Sequence, residues 1–123
     1  MRLDLTIPGV PATKKNSMQL ICVGGKPRII QSAKYREYER QSLKALLQYP
    51  NLWFDSSVWV KCLYWLPDRR KRDLCNLMAA THDILEKAQI IKDDALIVSV
   101  DGSRIMGVDK ENPRVDIVII GWD

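Results

Sequence analysis

Between Val58 and Ala88 the hydrophobic repeat of the chain changes once, and that change limits the fold more than any other feature. Val58, Val60, Cys62 and Tyr64 alternate with Trp59, Lys61, Leu63 and Trp65. This is the two-residue period of a strand, whose side chains point to opposite faces in turn. Both sets are largely apolar, so the strand is expected to be covered on both faces for much of its length. Pro67 closes it. From Leu74 the period becomes helical, with Leu74, Leu77, Met78, Thr81, Ile84, Leu85 and Ala88 at i, i+3, i+4 and i+7. An amphipathic helix that follows a strand so closely needs a sheet to pack on.

The flanking sequence supplies the rest of that sheet. Leu3 to Ile7 alternates and reads as a strand ended by Pro8-Gly9. A polar loop from Pro11 to Ser17 follows. Met18–Val23 and Pro27–Ile30 flank Gly24-Gly25, a hairpin signal because both glycines tolerate positive φ. Ser32 is the expected N-cap of a first helix, marked by Tyr35, Tyr38, Ser42, Leu43, Leu46 and Leu47, with Pro50 beyond its end. Strands are expected at Ala95–Val100 and Arg114–Gly121, with a turn at Asp101-Gly102. The order predicts one domain over residues 1–123, of α/β (α+β) class, in two layers: a mixed β-sheet with two main helices packed on it.

Composition agrees with such a domain and narrows its partners. A chain of 123 residues, 46% hydrophobic and 28% charged, is long and apolar enough for one modest core and is not the composition of a disordered chain. No run approaches the roughly 20 apolar residues of a membrane span. Asp4 falls where the apolar segment of a secretory signal would begin. Cys22, Cys62 and Cys75 are odd in number and share no metal-ligand spacing, so they read as reduced thiols of a cytoplasmic protein. The formal net charge of +4 is uneven. Residues 1–49 hold nine Lys/Arg against three Asp/Glu, whereas residues 50–123 hold ten against twelve. A basic N-terminal part and the run Arg69-Arg70-Lys71-Arg72 suit a polyphosphate partner.

That run leads directly into Asp73, and an acidic pair, Asp93-Asp94, lies just beyond the second helix. Cations beside separated carboxylates are what metal-assisted phosphodiester chemistry requires. The cations position the polyanion and the carboxylates hold a divalent ion. Each feature also has a plainer reading. Asp73 can serve simply as the N-cap of the helix. Asp93-Asp94 can be a solvated turn. Lys14, Lys15, Arg69, Arg70, Lys71 and Arg72 can be a phosphate-binding surface or solvated charge. His82, the one histidine, lies off the apolar stripe and reads as a surface residue. No Gly-rich phosphate loop, nucleophile elbow or zinc motif is present.

Four segments in order, VPATKKNS at 10–17, GGKPRIIQSAKYREYE at 24–39, LPDRRKRDLCNL at 66–77 and IIKDDALIV at 90–98, resemble the RusA family of Holliday junction resolvases, the crossover junction endodeoxyribonucleases of bacteria and their phages. The resemblance implies a homodimer that binds four-way DNA and cuts it symmetrically in recombination and repair. It also implies Mg²⁺ as cofactor, with Mn²⁺ as a substitute, and a cytoplasmic, bacterial or phage-encoded protein. The family's central motif reads Asp-x-Asp-Asn, with a lysine three residues after the Asn, and a later motif supplies another aspartate. Asp73 matches the first aspartate, Asn76 the asparagine and Asp94 the later acid, with Asp93 beside it. The implied metal ligands are therefore Asp73 and Asp94, which an active enzyme would use with Asp93 or Asp83 as helpers; Arg72 matches a basic residue before the motif, and the DNA contacts expected from charge are Lys14, Lys15 and Arg69 to Arg72.

Two positions depart from the motif. Cys75 stands at the second aspartate of the catalytic set and Ala79 at the lysine. A thiol is a poor ligand for a hard cation such as Mg²⁺. The resemblance thus supports two functions: a junction nuclease with an incomplete catalytic set, or a catalytically impaired junction-DNA-binding protein.

Overall fold

The computed structural model describes residues 1–12 and 18–122, except the side chains of Met18, Gln19 and Gln31. Its elements are β1 (Arg2–Pro8), β2 (Met18–Val23), β3 (Lys26–Gln31), α1 (Ala33–Leu46), β4 (Val58–Leu66), α2 (Leu74–Lys87), a single 3-10 turn (Asp94–Leu96), β5 (Ile97–Ser99), β6 (Arg104–Val108) and β7 (Arg114–Gly121). β1, β7 and β4 are antiparallel neighbours, while β5 and β6 both run parallel to β4, one beside its start and the other beside its end. The sheet is mixed and two helices pack on it, the expected α+β arrangement. β2 and β3 form a separate two-stranded hairpin around Gly24-Gly25, both at positive φ.

One face of the sheet is the core. Leu3, Leu5 and Ile7 of β1, Val58, Val60, Cys62 and Tyr64 of β4, and Val115, Ile117 and Ile119 of β7 are buried with Tyr35, Tyr38 and Leu46 of α1 and Leu77, Ile84 and Leu85 of α2. The opposite face of β4 is half-buried rather than covered. Cations lie over its aromatic rings there, with Lys61 Nζ 5.7 Å from the Trp59 centroid and the Arg114 guanidinium 5.2 Å from that of Trp65. One buried polar pair joins sheet to helix: Tyr64 Oη and Thr81 Oγ1 are 2.7 Å apart, and Thr81 Oγ1 also donates to the Leu77 carbonyl at 3.0 Å.

Both helices begin where capping chemistry places them. Ser32 Oγ accepts the Tyr35 N–H at 3.2 Å, and Asp73 caps α2. Two elements differ from expectation. The strand expected over Ala95–Val100 is shorter, because the Asp93 carboxylate accepts the Ala95 N–H at 2.8 Å and turns the chain into a 3-10 turn before β5 begins. β6 is an additional strand that the sequence pattern does not announce. Its sequence, Arg-Ile-Met-Gly-Val, lacks clean alternation, and its pairing with β4 contains a bulge.

Candidate functional site

At the start of α2, Asp73 Oδ1 accepts the N–H groups of Cys75 at 2.8 Å and Asn76 at 3.3 Å. These are donors that have no partner inside the helix. The capping role is therefore real, and the carboxylate remains exposed. Cys75 and Ala79 are exposed on the helix beyond it.

The basic run before Asp73 is folded by a single acid. Asp68 Oδ1 accepts the Arg70 N–H at 2.9 Å and Arg72 Nη1 at 2.8 Å. The Arg72 guanidinium, helped by the Arg70 N–H, holds the Asp68 carboxyl below the usual carboxylate range. Arg72 is thus taken up in shaping the loop, with a side chain only 17% exposed. Arg69 and Lys71 are exposed and form no ion pair among the described residues. Lys14 and Lys15 lie outside the described residues.

The far end of α2 is built by a chain reversal. Gln89 takes a left-handed conformation at φ 58°. Its N–H reaches the Glu86 carbonyl at 2.9 Å and the Ile90 N–H reaches that of Leu85 at 3.1 Å, the two bonds of a Schellman motif. Phe54 then pins the returning chain, donating to the Ile90 carbonyl at 2.8 Å and accepting from the Lys92 N–H at 2.9 Å. The loop comes back over the helix end, where Glu86 Oε1 accepts the Asp94 N–H at 3.1 Å. Ligand oxygens of Glu86, Asp93 and Asp94 all lie within 4.8 Å of one another. Three oxygen donors at that spacing suit a hard divalent cation.

Glu86 was missed in the sequence. Its signal was the last helical turn, where an acid opposes the helix dipole and so calls for another role. Asp83, by contrast, is turned toward α1: it accepts from Tyr35 Oη at 2.7 Å and lies 3.4 Å from Lys87 Nζ. His82 is not a plain surface residue. It is half-buried, and its Nε2 is buried without a hydrogen-bond partner among the described residues. Burial lowers its pKa below the ordinary 6.5, against an opposing pull from Asp94.

Asp73 stands apart from the three grouped acids. It precedes the fourteen-residue helix whose penultimate residue is Glu86. At ~1.5 Å of rise per residue, about 20 Å of helix separates the two backbones. The grouped carboxylates are Glu86, Asp93 and Asp94, while Asp73 shares its end of α2 with the basic run.

Residues 8–120 match the family model for Endodeoxyribonuclease RusA. The chain belongs to the RusA family. A curated RusA relative, the Crossover junction endodeoxyribonuclease RusA of Aquifex aeolicus (strain VF5), is 28% identical over 116 residues, covering 94% of this chain and 90% of the relative. The RusA match spans both helices and both ends of α2, so the basic run and the acidic group both lie inside it. No helix among the described residues is long and apolar enough to cross a membrane.

Proposed function

We propose that this RusA-family chain is a Holliday junction resolvase: a divalent-metal-dependent endodeoxyribonuclease that acts on four-way DNA in recombination and repair, cytoplasmic and either bacterial or phage-encoded. The family match over residues 8–120 carries this reading. The site supports it with an all-oxygen acidic group and a basic loop at the two ends of one helix. Glu86, Asp93 and Asp94 would hold Mg²⁺ or Mn²⁺, which when bound supplies Lewis-acid stabilisation of charge on the phosphodiester oxygens. Arg69, Arg70 and Lys71, with Lys14 and Lys15, contact backbone phosphates, and Arg72 acts through Asp68 to shape their loop.

Asp73 enters through the homodimer. Two copies related by a twofold axis across α2 would run their helices antiparallel. The Asp73 end of one copy would then lie beside the Asp93-Asp94 end of the other.

The test is a labelled four-way junction incubated with the protein and Mg²⁺ or Mn²⁺. Symmetrical paired cuts, abolished by chelation, are expected. If neither the chain nor a Cys75→Asp, Ala79→Lys double variant cuts, the nuclease reading is rejected. A second reading, a catalytically impaired junction-binding protein, is favoured by Cys75 and Ala79 at the family's Asp and Lys positions. It expects no cutting by the chain itself, cutting restored in the double variant, and junction affinity that falls steeply with salt as counterions are released.

A further inference from the structure

A cleft of about 340 Å³ lies between the basic loop and β6, with Arg69 to Arg72 on one wall and Ile105, Gly107 and Val108 on the other. That size falls in the roughly 300–1,000 Å³ range of small-molecule sites. We propose that it holds one nucleotide at the branch point of the DNA, the phosphate on Arg69 and Lys71 and the base against Ile105 and Val108. This rests on the branched-DNA reading above and adds the part of the junction that the chain recognises.

The apolar wall is a product of backbone irregularity. Residues three apart on a regular strand point to opposite faces. In β6, however, Ile105 pairs with Tyr64 while Gly107 pairs with Trp65, so Met106 is an extra residue. Such a bulge resets the alternation and re-aims the side chains beyond it. Ile105 and Val108 consequently both line the cleft, 38% and 46% exposed, while Met106 lines a different hollow with Trp59, Lys61 and Arg104. Among the described residues β6 pairs with β4 alone. The cationic wall is also available: Asp68 is occupied by Arg72, and Arg69 and Lys71 form no ion pair with a carboxylate among the described residues.

Cations facing an apolar wall match a nucleotide better than the alternatives. Intact duplex DNA presents phosphates but keeps its base faces stacked, so it would engage the cations only. At a branch point a base can lose a stacking neighbour and offer its face to an apolar side chain. The apolar wall is therefore the part that separates a junction from linear DNA.

The experiment uses the full chain, metal-free, with a four-way junction carrying 2-aminopurine at each branch-point position in turn, and a linear duplex of the same sequence. An Ile105→Ser, Val108→Ser variant should lose about ten-fold in junction affinity, keep duplex affinity within about two-fold and lose the 2-aminopurine fluorescence rise. An Arg69→Gln, Lys71→Gln variant should weaken on both DNAs. The milder Ile105→Ala, Val108→Ala variant, checked for native circular dichroism, guards against misfolding. Unchanged junction affinity and fluorescence in the apolar variants would overturn the proposal, as would equal losses on duplex. A fall from dimer to monomer by light scattering would overturn it too, by assigning β6 to the contact between copies. If the unaltered chain binds both DNAs equally, the branched-DNA reading itself fails, and the nucleotide site with it.

Discussion

Glu86 reaches across the end of α2 to Asp94: its Oε1 accepts the Asp94 backbone N–H at 3.1 Å and so seats the 3-10 turn against the helix. One carboxylate thereby both positions the acidic loop and adds a charge to it. The two contributions are separable, because a glutamine keeps the accepting oxygen and loses the charge. Glu86→Gln is expected to leave the fold intact and to weaken Mn²⁺ binding by about ten-fold, with Asp94→Asn doing the same through a lost ligand. Titration calorimetry with Mn²⁺ measures both. Affinity unchanged in both variants would show that the group holds no ion.

Asp73 combines a cap with a proposed catalytic charge, and two substitutions separate them. Asparagine caps a helix about as well as aspartate, whereas alanine does not. Asp73→Ala should cost about 1 kcal/mol of stability and Asp73→Asn much less. Both should remove metal-dependent cutting while junction binding persists. Urea melts paired with a cleavage assay test this, using the Cys75→Asp, Ala79→Lys background if the chain itself does not cut. Cutting by Asp73→Asn at the full rate would leave Asp73 a cap and nothing more.

Gln89 holds the left-handed position that closes α2, a conformation costly for any residue with a Cβ. Glycine removes that strain but frees the unfolded chain. The balance predicts that Gln89→Gly stabilises the protein by about 0.5–1 kcal/mol, read from the urea midpoint. Destabilisation instead would mean that the Gln89 side chain contributes to the reversal.

His82 gives stability a pH dependence. Burial lowers its folded pKa below the 6.5 of the ordinary side chain. The unfolded chain therefore takes up the proton first. The stability from neutral His82 is complete above pH 6.5 and is lost as the pH falls through the lowered folded value. His82→Gln should flatten the urea midpoint between pH 8 and pH 5 relative to the unaltered chain. Parallel curves for the two proteins would place the titration elsewhere.

The periods and the caps were legible in the sequence because each is written within a few neighbouring residues. Ser32 and Asp73 announced two helices, Gly24-Gly25 a hairpin, and the alternation from Val58 a strand, whereas the expected cover on its second face is absent because that face is only half-buried. The four RusA-like segments likewise lie in the linear order, and the family followed from them. What depended on the tertiary structure was which residues meet. Glu86 joins Asp93 and Asp94 only because a left-handed Gln89 and the Phe54 pairing reverse the chain over the helix end. Asp73 is held from that group by the rigid rise of α2. Ile105 and Val108 come to one face only through a bulge set by register against β4. Local pattern encodes the elements, while long-range pairing and the stiffness of a helix decide which charges and apolar surfaces share a site.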